Sequence, residues 1–284
     1  RDAFGGRPGY RAMGVFVAVL ILVGTVGAYA GTRRAPIGTV TAAAGSLRDQ
    51  LRVVGRSRDF TALLTTFVLQ ALATGAMLAG VDYLSRHVLR DPAASTVLFV
   101  CFVGPALLLT PVWAAIGGRV GKRKGYVASS LALAGGALVL VFAQSLPAVG
   151  VYAATGLVGV GYAGAQVFPL AMLADTAAVD ATRSGQNRIG VYTGVWTAGE
   201  TLGLALGPGI YALVLAAGGY VSSTSGTIVE PASARTAIVL GFSLLPAVLT
   251  LLSLLWLRGY RLTAADVTGA TGPTGAVPTP EEIP

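Results

Sequence analysis

Seven long apolar segments, separated by polar connections, fill most of the chain. They cover residues 12–31, 60–85, 94–117, 126–145, 148–174, 189–219 and 235–257. Each segment reaches the roughly 20 residues that an α-helix needs to cross a bilayer. None shows the alternating pattern of the roughly ten-residue strands of a membrane β-barrel. The pattern therefore predicts an all-α membrane protein with seven transmembrane helices.

Composition and charge support this class and predict an orientation. Hydrophobic residues make up 54% of the chain and charged residues 11%, against roughly 25% charged in a soluble domain. Of the 20 Lys and Arg, 14 fall on the side of the membrane that holds the linker 32–59. Lys and Arg accumulate in cytoplasmic loops, so we expect the linker and the C-terminal tail to be cytoplasmic and the protein to lie in the plasma (inner) membrane. The net charge of +8 is then explained by topology and by attraction to lipid headgroups, and no nucleic-acid partner is expected.

The connections divide the chain into four parts. Residues 1–31 hold one helix, residues 32–59 a long linker, residues 60–260 six closely connected helices, and residues 261–284 a tail rich in Gly, Pro and Thr. That tail composition predicts disorder. Because the chain starts without Met and its first apolar segment lacks the features of a signal peptide, we expect it to be the back part of a longer protein.

The linker contains a short amphipathic pattern. Three apolar residues recur at helical spacing opposite three basic ones: Leu47, Leu51 and Val54 against Arg48, Arg52 and Arg56. This pattern is typical of a helix that lies on a membrane surface. A solvated tether with chance periodicity is the alternative interpretation.

Two motifs carry a resemblance to known transporters. The sequence PALLLTPVW at 105–113 continues into the tight basic turn GGRVGKRK at 117–124, which resembles the signature loop of the major facilitator superfamily in its second-half copy. The stretches AMLADTAAVD at 171–180 and SGQNRIGVY at 184–192 resemble the glycoside–pentoside–hexuronide:cation symporters, the melibiose-carrier family, which share features with sodium-dependent lysolipid carriers.

The resemblance implies an architecture and a function. Residues 1–31 would be the last helix of an N-terminal bundle, and residues 60–260 a complete C-terminal six-helix bundle. The implied function is cation-coupled symport of a sugar or glycoside by alternating access of the two bundles. The implied partners are the solute, a coupling cation, membrane lipid and the missing N-terminal bundle. The family usually carries Lys at the position of Glu200 and a basic pair at Gln186 and Asn187, so the ligand class inherited from the family is open.

Glu200 is the leading functional candidate. It is the single carboxylate within the apolar segment 189–219 and lies roughly 16 Å from the start of that helix, near the middle of a ~30 Å hydrocarbon core. Such a group costs a few kcal/mol and usually faces a polar cavity or a partner. Reversible protonation would make it a coupling group, because burial favours the neutral form. A structural ion pair or hydrogen bond between bundles is the alternative.

Other polar and aromatic residues are candidates for the same site. Tyr192 and Trp196 precede Glu200 by two turns and one turn, so the three share a helix face. Aromatic rings at this spacing serve either solute stacking or ordinary helix packing. Gln70, Thr74 and Gln166 are predicted to be cavity donors, with hydrogen bonding between helices as the alternative.

Charged residues at the cytoplasmic ends of the helices are predicted to form an inner gate. The residues are Asp175, Asp180, Arg183, Arg188, Arg119, Lys122 and Arg123. Their ion pairs would break when the gate opens, although a solvated loop is the alternative because exposed pairs are weak.

Several function classes are disfavoured. One His and one Cys do not supply the ligands of a metal site or the groups of an intramembrane hydrolase, so we expect no metal, no cofactor and no enzymatic activity. The letters GVGYAG at 159–164 match a dinucleotide fingerprint but lie inside an apolar helix, where small residues serve close helix packing. A lysolipid or other amphiphile carrier, and a membrane receptor or scaffold that transports nothing, are the alternatives to a sugar symporter.

Overall fold

Ten α-helices account for nearly all of the part of the chain that the computed structural model describes, residues 6–33, 46–221 and 231–271. No strand is present in those three ranges. The helices are α1 Gly6–Thr32, α2 Leu47–Arg56, α3 Arg58–Tyr83, α4 Ala94–Val120, α5 Lys122–Val139, α6 Ala148–Ser184, α7 Ile189–Ala217, α8 Ala232–Phe242, α9 Leu244–Leu257 and α10 Ala264–Thr271. A π-helical turn, Leu84–Val88, extends α3, and a 3-10 turn, Leu140–Phe142, extends α5.

Seven spans in the described ranges are long and apolar enough to cross a membrane. They coincide with the seven predicted segments, which confirms an all-α, multi-pass integral membrane protein. The largest difference in bounds is in α6, which ends at Ser184 rather than near residue 174. Its 37 residues extend about 55 Å, well beyond a ~30 Å hydrocarbon core. Asp175 and Asp180 therefore lie on a projecting end of a helix.

The first helix belongs to a separate compact unit, residues 1–41, and all later helices belong to a second unit. Taken by itself, α1 is apolar on every side, and residues such as Phe16, Leu22 and Val23 are more than 60% exposed. A helix that is hydrophobic all round needs lipid or other helices around it. Its assignment to an N-terminal bundle stays a prediction.

Within the second unit, α3 is the central helix. It packs against α7 and α9, while α6 packs against α4 and α5. Two clusters of buried apolar side chains fill the interior. One surrounds Phe102 and Phe242, and the other surrounds Phe60, Phe168 and Trp196.

Glycine residues let the backbone of α6 contact the backbones of α4 and α5 directly. A Cβ atom added to Gly161 would lie 2.3 Å from the Leu133 backbone nitrogen, and one added to Gly159 would lie 2.4 Å from the Phe102 carbonyl oxygen. Neither position has room for a methyl group, since real Cβ atoms do not come so close. The fingerprint-like letters at 159–164 therefore serve close helix packing, as predicted from their place in an apolar helix.

The last span is broken, a feature absent from the sequence prediction of one helix over 235–257. Helix α8 ends at Phe242 and α9 begins at Leu244, with Ser243 between them. Pro246 has no amide hydrogen to donate to the Phe242 carbonyl, and its ring crowds that carbonyl. The Ser243 amide and hydroxyl both donate to the Val239 carbonyl oxygen, at 2.9 and 2.6 Å, so the polar serine side chain at the break has a partner inside the protein.

The predicted linker helix is present as α2. Its N-cap is Ser46, whose hydroxyl accepts a hydrogen bond from the Asp49 amide. Val54 is buried in the cluster around Phe60 and Tyr192, whereas Leu51 is exposed. The apolar side of α2 is thus partly covered by the bundle, and its contact with a membrane surface stays a prediction.

The tail is not disordered over its first part, which corrects the prediction for residues 264–271. Helix α10 starts with a reciprocal cap, in which Thr263 donates to the Asp266 carboxylate at 2.7 Å and accepts from the Asp266 amide. The Thr263 hydroxyl and the Thr263 amide both donate to the Asp266 carboxylate, and they lower the pKa of Asp266 because they stabilise its charged form. Asp266 also pairs with Arg183 of α6 at 3.8 Å. The prediction for 272–284 lies outside the described residues.

We expect Gly161→Ala to destabilise the α5–α6 contact by roughly 1–3 kcal/mol, because overpacking against rigid backbone forces the helices apart. The measurement is thermal unfolding of the purified protein in detergent. Gly156→Ala on the same helix is the matched control, since nothing lies within 4 Å of a Cβ added there. Equal unfolding temperatures for the two variants would contradict the close packing of α5 and α6 at Gly161.

Candidate functional site

A small cavity among α3, α5, α6 and α7 brings together most of the polar residues predicted for a solute site. Its volume is about 30 Å³, which holds one or two water molecules. The polar side chains that line it are Gln70, Thr74, Tyr162, Gln166 and Glu200. Four of these five were predicted from the sequence, from three different helices.

Close packing of α7 on α3 places Glu200 at this cavity. One turn beyond Glu200, a Cβ atom added to Gly203 would lie 2.6 Å from the Ala71 Cβ, and one added to Gly207 would lie 2.7 Å from the Ala76 amide nitrogen. The two helices therefore touch along their backbones on the side of α7 that carries Glu200. Helix α7 continues without a break to Ala217, so the carboxylate is held by a regular helix against α3.

The Glu200 carboxylate is half-buried and forms no hydrogen bond or ion pair with any residue in the described ranges. At membrane depth, an unpaired carboxylate is expensive unless it faces water, a polar cavity or a ligand. The polar lining of the cavity provides such surroundings. The arrangement is able to accept hydrogen bonds from a bound molecule or to take up a proton.

Tyr192 and Trp196 are packing residues in the structure, although they share the face of α7 with Glu200. Trp196 is 2% exposed and stacks on Phe67, with ring centroids 4.3 Å apart. Tyr192 meets Phe60 edge to face at 4.9 Å. Neither ring lines the cavity, but Phe67 does, so Trp196 supports the cavity wall from behind. Among the described residues, the buried Trp196 indole nitrogen has no hydrogen-bond partner.

Gln70 joins three helices in addition to lining the cavity. Its amide nitrogen donates to Ser130 on α5 and to Ser253 on α9, each at 3.0 Å, and its carbonyl oxygen accepts from Tyr126 at 3.1 Å. With these bonds its side chain is nearly saturated. The structure therefore gives Gln70 the interhelical role that was the alternative to a cavity donor.

Tyr162 is the cavity residue that the sequence prediction missed. Its hydroxyl accepts a hydrogen bond from the Gln166 amide one turn later on α6, and its ring stacks on Phe102 at 4.8 Å. The spacing of four residues was a usable signal, because residues i and i+4 share a helix face. Thr74 lies across the cavity, and its hydroxyl makes no hydrogen bond to a described residue.

The predicted gate residues form separate ion pairs at one end of the bundle. This end holds the α4–α5 turn, the C-terminal end of α6 and the start of α7, and we call it the basic end. Lys122 pairs with Asp175 at 2.6 Å, Arg188 with Asp180 at 3.0 Å, and Arg183 with Asp266 at 3.8 Å. Asp175 thus pairs with the turn between α4 and α5 rather than with its sequence neighbours. Arg119 and Arg123 are exposed, and neither pairs with a carboxylate in the described ranges.

One glycine makes the Lys122–Asp175 pair possible. Gly121 is the single residue between α4 and α5 and has φ +91°, a conformation that side-chain-bearing residues rarely adopt. The turn is therefore as tight as its sequence predicts. It places Lys122 at the first position of α5, facing the projecting end of α6. The Asp175 side chain is 15% exposed and that of Lys122 is 42% exposed.

Comparison with known proteins agrees with this architecture. The sequence profile of the family described as MFS/sugar transport protein matches residues 2–264. An uncharacterized symporter of Synechocystis sp. is 26% identical over 223 residues, which are 77% of this chain and 41% of that protein. The chain thus spans about two fifths of the length of this curated relative.

We expect the Lys122–Asp175 pair to contribute more than an exposed pair. A double-mutant cycle with Lys122→Gln and Asp175→Asn should give a coupling of about 1–2 kcal/mol in the free energy of unfolding. The matched control is the Asp82–Arg86 pair at 2.7 Å, in which both side chains are more than half exposed and the coupling should stay below about 1 kcal/mol. Equal couplings would show that burial of Asp175 adds nothing.

Proposed function

This chain belongs to the MFS/sugar transport protein family, and on that basis we propose that it forms the C-terminal half of a secondary active transporter for a small polar solute. The proposed solute is a sugar or glycoside, and the proposed coupling is to a cation. The membrane architecture and the relationship to a symporter point to a transporter rather than an enzyme. The solute and the coupling are inferences from the cavity and the family.

The unpaired carboxylate in a polar cavity is the observation that carries the proposal. A sugar presents hydroxyl groups that both donate and accept hydrogen bonds. Glu200 offers two acceptor oxygens, and the Thr74 hydroxyl is able to donate and accept, whereas Gln70 is already engaged. The Gln166 carbonyl oxygen and the Tyr162 hydroxyl proton on α6 also have no partner in the described ranges, so the open hydrogen-bonding capacity of the cavity comes from α3, α6 and α7.

The cavity is too small to enclose a sugar by itself. A volume of about 30 Å³ is far below the roughly 300 Å³ or more of a small-molecule site. We therefore infer that a second helical bundle of the whole protein completes the site, as in carriers that bind at the interface of two repeats. Glu200 would then face the solute across this interface.

The ion pairs at the basic end fit an inner gate in this mechanism. Lys122–Asp175 and Arg188–Asp180 connect the α4–α5 turn, the end of α6 and the start of α7. Because both pairs lie within one six-helix bundle, they would break only if these helix ends slide within that bundle when the gate opens. Asp175, Asp180 and Arg188 are largely buried, so these pairs are stronger than surface pairs, and breaking them would add a barrier to each transport cycle.

We expect Glu200→Gln in the full-length carrier to lower concentrative uptake at least about tenfold, because the amide preserves shape but neither carries charge nor exchanges a proton at neutral pH. The measurement is uptake into proteoliposomes of labelled melibiose, xylose and lysophosphatidylcholine, each with an imposed proton or sodium gradient. Expression and reconstitution should match the unmodified protein.

The matched control is Thr201→Val. Thr201 is exposed one residue after Glu200, and among the described residues its hydroxyl donates only to the Thr197 carbonyl of its own helix. Its substitution should leave uptake unchanged. Normal accumulation in Glu200→Gln would contradict the role of the carboxylate, and accumulation of lysophosphatidylcholine without either sugar would assign the carrier to amphiphiles.

A further inference from the structure

Two clefts flank the C-terminal end of α9 at the basic end of the bundle, and they share Arg258. The first lies between α3 and α9, has a volume of about 610 Å³ and includes Arg58 and Arg261 in its wall. The second lies between α5 and α9, has a volume of about 470 Å³ and includes Arg123 and Lys124. None of the residues in these clefts lines the Glu200 cavity, so they form a separate surface.

Five cations surround these clefts without carboxylate partners. Arg58, Arg123, Lys124, Arg258 and Arg261 are exposed, and none forms an ion pair within the described ranges. The nearest carboxylate on the sequence, Asp59, already accepts a hydrogen bond from the Arg261 backbone amide at 2.6 Å. Asp59 keeps its negative charge in this bond, so the surface carries five cations against one adjacent carboxylate and has a net positive charge. The neighbouring cation Lys122 is different, because it is paired with Asp175.

Beneath the cations, the second cleft is apolar. From Arg123 and Lys124, its wall continues along α5 through Val127 and Leu131, and along α9 through Leu254. Leu131 is 51% exposed. Residues four apart on a helix lie one above the other, so this wall extends from the basic mouth toward the middle of the span.

A tryptophan marks the membrane boundary next to the same site. Trp256 lines the first cleft and is 47% exposed. Tryptophan is enriched at the level of lipid headgroups, where its ring is partly in the apolar layer. Along α9, Arg258, Trp256 and Leu254 thus follow one another in the order of the headgroup, the interface and the acyl chains of a phospholipid, with Trp256 in the first cleft and Leu254 in the second.

We propose that these clefts bind an anionic glycerophospholipid. Its phosphate would contact Arg258 together with Lys124 and Arg261, and one acyl chain would lie along Val127, Leu131 and Leu254. Arginine suits this role because its planar guanidinium makes paired hydrogen bonds to phosphate oxygens. Basic pockets between transmembrane helices bind anionic headgroups in this way. The site is independent of the solute and of Glu200.

The test is lipid binding to the purified full-length protein. Native mass spectrometry during titration in mild detergent gives apparent affinities for phosphatidylglycerol and phosphatidylcholine. We expect phosphatidylglycerol to bind at least about tenfold tighter, and Lys124→Gln/Arg258→Gln/Arg261→Gln to remove most of that preference. The matched control is Arg86→Gln/Arg90→Gln/Arg235→Gln, which removes the same charge outside the clefts and should keep the preference.

The apolar part of the site has its own pair of variants. Leu131→Asn should weaken phosphatidylglycerol binding about fivefold, because it removes apolar contact with the chain. Leu213→Asn, on α7 and 70% exposed outside both clefts, should not. Unfolding temperatures in phosphatidylcholine alone show whether any variant has lost its fold, and an unfolded variant is replaced by the corresponding Ala substitution.

Three results would overturn the proposal. The first is equal affinity for the two lipids. The second is an equal loss in both charge-removal triples, which would indicate attraction by net charge alone. The third is full displacement of phosphatidylglycerol by inorganic phosphate at low millimolar concentration, which would make the site an anion site in which the acyl chain plays no part.

Discussion

Within the hydrocarbon core of a membrane there is no water to which a helix could hydrogen-bond. Each polar group there must therefore have a partner inside the protein or face a cavity. The Thr66 and Thr155 hydroxyls meet this requirement by donating to the carbonyl one turn earlier on their own helices. Gln70 meets it by joining α3 to α5 and α9. The break at Ser243 follows the same constraint, since the serine hydroxyl bonds to a carbonyl next to the break.

Glu200 stands out against this background. The other polar groups that line the cavity are either engaged, as Gln70 is, or neutral, as Thr74 is. A carboxylate in the same surroundings is far more costly to leave without a partner. The bundle holds it rigidly through the glycine contacts of α7 with α3, where Gly203 and Gly207 have no room for a side chain. Such rigidity is useful for a binding group, because a fixed acceptor loses little freedom when a ligand arrives.

At the basic end of the second unit, some cations are paired with carboxylates and others surround open clefts. Lys122 and Arg188 are paired with carboxylates of α6, where helix ends meet. Arg258 and its neighbours surround open clefts instead, next to an apolar wall. The first set connects elements of the bundle to each other, and the second faces outward. The positive charge at this end of the second unit therefore lies in two structurally distinct surroundings.

The sequence by itself determined the class, the number of spans and their approximate bounds, because a run of about 20 apolar residues has one stable form in a bilayer. It also identified Glu200, Thr74, Gln166 and Gln70 as candidate cavity residues, since polar residues are rare in such runs.

The sequence did not determine which side chains meet. Tertiary structure paired Asp175 with Lys122, 53 residues away, assigned Trp196 to packing on Phe67, brought Tyr162 into the cavity, and ordered residues 264–271. Each of these outcomes depends on how the helices rotate and how closely they approach. Rotation and approach are decided by small residues and by pairs distant in the chain, and local composition does not encode them.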